Sequence, residues 1–171
     1  GADFLQRKDP DYLVYALEQR HALAQGALHP DIRREVDRVL AADVIAFTFP
    51  LFWFGVPAMM KGWLERVFLS DTFYGGTRIY GNGGLAGKRA FAAFSLGAAQ
   101  HMFGREGIHG ELVDGMLRHF FQGTLGYVGL AVHRPFVAYQ VARVDAQQRS
   151  AMLDDLRNYV RTLDRQPLMP M

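Results

Sequence analysis

Cysteine is missing from the 171 residues, and lysine nearly so: only three of the 19 basic residues are lysine, the rest arginine. Without thiols there can be no disulfide, no thiolate metal site and no thiol redox centre, which fits the expectation of a soluble protein in a reducing, cytoplasmic compartment. Charge of one sign is also scarce. The 19 basic residues face 17 acidic ones for a net charge of +2, and the basic residues are scattered rather than gathered in a patch, which argues against a nucleic-acid partner. No apolar run reaches the ~18 residues needed to span a bilayer, so no stable membrane insertion is expected. His21, His29, His101, His119 and His133 lack metal-ligand spacing, and no metal is expected. Repeats, low-complexity tracts and linkers are absent. With 50% hydrophobic content, the chain has enough apolar material for one domain with a sizeable core.

The apolar residues follow two periods in turn. Asp9-Pro10 reads as a helix opening, with Tyr12, Leu13, Ala16 and Leu17 on its inner face and an end near Gly26. A second helix follows Pro30, with Ile32, Val36, Val39 and Leu40 as its stripe. Over 44–49 the run VIAFTF is continuously apolar and rich in β-branched and aromatic residues, as in a strand buried on both faces. After a loop comes a helix with Pro57 near its start. It carries Met59, Trp63 and Val67 on one ridge and Met60, Leu64 and Phe68 on the next, all read as core. Six glycines in 71–87 mark an irregular excursion. A second buried strand is expected over 89–95, a helix over 111–125 and a third strand over 130–139. The last helix begins at Asp145, where Gln148 supplies capping-box spacing and Leu153, Leu156, Val160 and Leu163 form the inner stripe.

Helices alternating with buried strands predict an α/β fold, a doubly wound parallel sheet with helices on both faces. Ligands in such folds bind beyond the carboxyl ends of the strands. Two loops qualify here: 50–56, and 96–110 with its four glycines. The first is unusual. Pro50-Leu51-Phe52-Trp53-Phe54 is far more apolar than a surface loop normally is, and suits contact with something flat.

The segment FPLFWFGVP over 49–57, continued by KGWLERVF over 61–68, closely resembles the NAD(P)H:quinone oxidoreductase family of flavodoxin-like flavoproteins; GIHG over 107–110 resembles its second signature. The resemblance extends over nearly the whole chain and implies a flavodoxin-like domain over 1–171. It also implies that the N-terminal βα unit, whose loop cradles the flavin phosphate in this family, is missing, since nothing before Asp9 reads as that unit. By carry-over, Pro50, Leu51, Phe52, Trp53 and Phe54 lie along the flavin ring and offer it backbone N–H groups. Ser95, Gly97, Ala98 and Phe103 belong to the same cofactor site. The implied activity is ping-pong: NAD(P)H reduces the flavin at N5, and a quinone then takes both electrons. His109 matches the family histidine that stabilises the developing charge or delivers a proton, and Tyr74 matches a tyrosine lining the substrate pocket.

The family tyrosine that partners this histidine is replaced by Phe103, and a second pocket tyrosine by Gly76. A phenol relay is therefore unavailable at 103, and a wider pocket is expected near 76. FAD is the flavin implied by the motif match, with FMN the alternative, and a homodimer is expected from the family. Two other readings stand beside the quinone reductase: a flavin-binding regulatory subunit of a potassium efflux system, and a nitro- or azo-reductase with the same electron flow.

Overall fold

The computed structural model describes residues 3–170, and its contacts fall into two units. The first comprises residues up to Asp43, Ala58–Lys88 and Tyr127–Leu130; the second comprises Val44–Pro57, Arg89–Gly126 and the residues from Ala131 onward.

In the second unit the expected parallel sheet is present. Strand β1 (Val44–Pro50) pairs in parallel with β2 (Arg89–Ser95) along all seven residues, from Val44 opposite Arg89 to Pro50 opposite Ser95. β2 is buried along its whole interior, as its sequence predicts. β1 is not. Phe47 and Phe49 are buried, whereas Ala46, Thr48 and Pro50 alternate with them in the open, so the expected burial on both faces is corrected to one. β1 is an edge strand, pairing with β2 alone among the described residues. The single strand expected over 130–139 is divided into β3 (Ala131–Val132) and β4 (Phe136–Ala138), both parallel to β2. Pro135 stands in the gap, and a proline has no N–H to give a ladder.

Phe47 and Phe49 share a face of β1 and meet Phe120 edge-on, each at 5.8 Å between ring centroids. Phe120 belongs to α4 (Arg118–Phe120), which sits between π-helical turns over Leu112–Met116 and Phe121–Gly126 where one regular helix was expected. Leu117, Phe120, Phe121 and Leu125 are the fully buried residues of this stretch. Helix α5 (Ala146–Arg161) opens with the anticipated capping box: the Asp145 carboxylate accepts from the Gln148 N–H at 2.8 Å, and the Gln148 side-chain oxygen accepts from the Asp145 N–H at 3.1 Å. Its inner side is Met152, Leu156 and Tyr159. Leu153 and Val160, expected inside, are exposed. Leu153 lines an apolar groove of about 390 Å³ between α5 and the sheet, with Thr48, Pro50, Ala93 and Phe136 on one side and Met152 and Leu156 beside it on the other.

In the first unit α1 (Tyr15–Ala24) starts later than its sequence suggests and presents the opposite face. Asp9 does not cap it. Its carboxylate accepts from the N–H groups of Asp11 and Tyr12, a local turn that competes with helix. Tyr12, Leu13 and Leu17 are exposed, and the buried residues are Glu18, Gln19 and Ala22. Burying polar side chains is tolerable only when each is hydrogen-bonded. Glu18 accepts from the Lys8 N–H at 2.9 Å and the Asp9 N–H at 3.3 Å. The Lys8 hydrogen bond holds the Glu18 carboxyl below its ordinary range, so its stabilising effect is complete at neutral pH and is lost as pH falls through that lowered value.

Gln19 donates to the Glu65 carbonyl at 2.9 Å and accepts from the Ser70 N–H at 3.4 Å. Glu65 lies in the last turn of α3 (Ala58–Val67), where carbonyls have no partner within the helix. Leu64, Val67 and Phe68 form the buried ridge of α3, while Met59, expected in the core, is 88% exposed on a first turn that nothing among the described residues covers. Helix α2 (Pro30–Ala41) buries Ile32, Val36 and Val39 as read, with Leu40 outside. The glycine-rich excursion owes its composition to close backbone approach: a Cβ at Gly83 would lie 2.3 Å from the Val128 carbonyl oxygen, and one at Gly84 would lie 2.2 Å from that of Thr72.

Gln19→Leu removes the side-chain partner of the part-buried Glu65 carbonyl and of the buried Ser70 N–H. The unfolding free energy is expected to fall by roughly 1–3 kcal/mol in chemical denaturation; an unchanged denaturation midpoint would show that the bridge contributes nothing.

Candidate functional site

Because β1 and β2 run parallel and in register to their last residues, the chain leaves both at the same end of the sheet. The loops beginning at Leu51 and Leu96 therefore start side by side, which is the arrangement expected at the carboxyl ends of an open α/β sheet. The pairing continues one residue further, with the Leu51 N–H donating to the Ser95 carbonyl at 2.8 Å.

The aromatic loop then reverses in two residues. Phe52 and Gly55 exchange hydrogen bonds in both directions, at 3.1 and 2.8 Å, with Trp53 and Phe54 between them at φ +48° and +56°. Two central residues with positive φ are the mark of a type I′ turn, where Asn-Gly is the usual occupant. Here both are bulky aromatics. For an L-residue with a large side chain the left-handed region costs about 1–2 kcal/mol, so this turn is held against its own local preference. The Trp53 side chain is 98% exposed, so burial among the described residues does not offset this cost. Among the described residues the backbone N–H groups of Trp53 and Phe54 donate to no acceptor.

The second loop leaves Ser95 through Leu96, Gly97 and Ala98. The Leu96 N–H donates to the Ala138 carbonyl at 3.0 Å, and the Ala98 carbonyl accepts from Gln140 at 3.2 Å. A tight coil over 102–110 follows, closed by His109 N–H to Met102 carbonyl at 3.0 Å and Gly104 N–H to Gly110 carbonyl at 3.0 Å. Gly107 lies against backbone in this coil: a Cβ there would stand 2.5 Å from the Met102 carbonyl oxygen. The coil turns His109 toward the first loop. Its ring centroid lies 5.2 Å from that of Phe54 and 5.2 Å from that of Phe103, and Phe54 and Phe103 are 6.3 Å apart.

Of the residues expected at the site, the structure thus gathers Pro50 to Phe54, Ser95, Gly97, Ala98, Phe103 and His109 at one end of the sheet in the second unit. Tyr74 belongs to the first unit, where its ring packs on Tyr127 at 5.8 Å. One residue escaped the sequence reading: Tyr139 follows β4 and packs against Phe103, tilted at 46° with 5.9 Å between ring centroids. Its position just past a strand neighbouring β2 is the signal that could have found it. Burial raises the Tyr139 phenol above its ordinary pKa. A polar hollow of about 240 Å³ is lined by Phe103 and Tyr139 together with Gln100, Glu111, Asp114 and Arg134. Arg134 grips both carboxylate oxygens of Asp114, at 3.1 and 2.5 Å.

These donors and rings suit a flat aromatic group with a polar edge. The Trp53 and Phe54 N–H groups can meet the acceptors of such an edge, and the apolar loop can cover its plane.

Trp53→Asn keeps the turn but removes the strained ring from position 53. It is expected to raise the unfolding free energy by about 1 kcal/mol, since asparagine enters the left-handed region readily; equal or lower stability would mean that Trp53 is not strained. Gly107→Ala acts in the opposite sense. Forcing a methyl against the Met102 carbonyl is expected to cost about 1–3 kcal/mol and to shift the His109 resonances in an NMR spectrum, whereas an unperturbed spectrum would refute the close approach.

The profile of the family described as flavodoxin-like fold matches residues 1–160. NAD(P)H dehydrogenase (quinone) 1 of Cavia porcellus is 36% identical over 146 residues, 85% of this chain and 53% of that protein. A Klebsiella pneumoniae crystal structure proposed to be a quinone reductase is 32% identical with a TM-score of 0.89, and the match covers 99% of this chain and 68% of that one. General stress protein 14 of Treponema denticola, solved in complex with FMN, is 27% identical with a TM-score of 0.65, covering 85% of this chain and 77% of that one. The chain spans about half the length of the curated relatives it matches. With the parallel sheet, the aromatic turn and these likenesses along most of its length, the chain belongs to the flavodoxin-like fold family.

Proposed function

We propose that this chain forms the flavin and acceptor site of a flavoprotein that reduces quinones by two electrons at the expense of NAD(P)H. The observation that carries the reading is the type I′ turn of Trp53 and Phe54. It holds two bulky aromatics in left-handed backbone, with two N–H donors that meet no acceptor among the described residues, next to the imidazole of His109. Strain of this kind persists where the surrounding structure over-determines it, and it concentrates at binding sites.

A bound flavin supplies the relay that accepts two electrons from NAD(P)H and passes them to a quinone. The chain's own part is to hold and to balance charge. Trp53 and Phe54 offer backbone N–H groups to the polar edge of the ring system, while Pro50, Leu51 and Phe52 cover its apolar plane and exclude water. Gly97 and Ala98 come from the neighbouring strand, and the space beside Gly97 is open. Reduction leaves negative charge on nitrogen or oxygen. An imidazole, whose charge changes near neutral pH, can offset that charge or donate a proton from its ring nitrogen. Phe103 has no hydroxyl, so the proton at His109 is handled without a phenol at that position.

FAD is the flavin we assign on the motif, while the FMN complex of the Treponema denticola neighbour supports FMN as the competing outcome. A homodimer accords with the exposure of Trp53 and Ile108, at 98% and 83% on the two site loops. Among the described residues no helix is long and apolar enough to cross a membrane.

The test is reconstitution. Quenching of flavin fluorescence at micromolar FAD or FMN, bleaching by NAD(P)H and recovery of colour on adding a quinone are the expected results; failure to bind either flavin sinks the reading. His109→Ala is expected to retain flavin and lower kcat for quinone reduction by roughly a hundredfold, the scale of a lost acid–base group. A variant as fast as the wild type would remove His109 from the chemistry.

A further inference from the structure

Among the described residues, His109 lacks the hydrogen bond that fixes the imidazoles of His119 and His133. The ring of His119 contacts the Met116 carbonyl at 2.8 Å, and that of His133 contacts the Gln166 carbonyl at 3.0 Å. Among the described residues no such partner holds either ring nitrogen of His109. Only rings hold it. Phe54 lies on one side, on the strained turn and partly open to solvent; Phe103 supports it from within. A ring held by packing alone keeps its orientation only if the packing ring is itself held.

Phe103 in turn leans on Tyr139 at 5.9 Å, and Tyr139 is pinned through its backbone. The preceding Ala138 pairs with Ser95 at the end of β4. The N–H groups of Gln140 and Val141 donate to the carbonyls of Ala98 and Leu96, each at 3.2 Å. Gln140 adopts φ +56°, a left-handed conformation that a non-glycine residue keeps only where its neighbours impose it. The 139–141 segment and the 96–98 loop are thus tied together on the two sides of Tyr139.

We propose that Tyr139 is a positioning residue for the proposed reaction: its ring holds Phe103 against His109 and so sets the orientation of the imidazole that handles the proton. The inference rests on the reading of His109 given above. It assigns the role to the ring, not to the phenol oxygen, because a prop works by shape.

The experiment compares Tyr139→Leu and Tyr139→Phe with wild type in two measurements. One is made without flavin: the NMR shift and pH titration of the His109 Cε1–H, identified by its loss in His109→Gln, with His133 as the reporter of an intact fold. The other is the pH profile of kcat for quinone reduction in the flavin-loaded protein. Tyr139→Leu is expected to move the His109 resonance and its titration, leave His133 in place, and lower kcat roughly tenfold with an altered pH profile and unchanged KM for NAD(P)H, as for a misplaced reacting group. Tyr139→Phe is expected to match wild type in both.

A His109 resonance and pH profile unmoved in Tyr139→Leu overturn the proposal. So does a Tyr139→Phe variant that departs from wild type in either measurement, a criterion that holds even if Tyr139→Leu fails to fold. Should the resonances respond as expected while wild type reduces no quinone, the functional reading falls and the ring support of His109 stands.

Discussion

Seven consecutive residue pairs between β1 and β2, parallel and without a bulge, are the constraint on which the site depends. Parallel ladders have evenly spaced bonds, so the register set at Val44 and Arg89 is carried unbroken to Pro50 and Ser95. A slip of one residue would turn Phe47 and Phe49 out of the packing with Phe120 and bring Thr48 and Pro50 into it. The same slip would separate the two loops by a residue's rise. Packing of a few phenylalanines in the sheet therefore fixes where Phe54 meets His109.

The aromatic turn makes the opposite bargain with stability. A residue pair chosen for folding alone would be Asn-Gly, and this chain places Trp-Phe there. The turn persists because both of its ends are secured: Phe52 and Gly55 close it by two hydrogen bonds, and Leu51 continues the pairing to Ser95. Phe54 is further seated against His109 and Phe103. Stability gathered in the sheet is spent on holding two rings and two N–H donors in an orientation that unconstrained backbone avoids.

A different economy governs the first unit. There α1 buries Glu18 and Gln19 and turns Leu17 outward. The gain comes from backbone groups that would otherwise lack partners: the end of α3, the N–H of Ser70, and the N–H groups of Lys8 and Asp9. A buried amide with both ends engaged can replace a hydrophobic contact where two chain segments end close together.

Local chemistry alone settled a good deal. The 3.6-residue stripe of Ile32, Val36 and Val39, the Asp145–Gln148 capping box, the apolar run of β2 and the glycine-rich character of 71–87 follow from spacing and backbone preference, and the structure agrees with each. The pairing of an aromatic loop with a Gly-Ile-His-Gly loop was also legible, because strand ends and loop composition are written in order along the chain. Only the tertiary structure decided which apolar residues are covered. Met59, Leu153, Val160, Tyr12 and Leu13 have the composition and the spacing of core, but burial depends on whether another element lies opposite. It decided as well that the rings of residues 54, 103, 109 and 139 stand in one cluster. Contacts between residues that are far apart in the chain are set by strand register and by the path of the loops, and no local period encodes them.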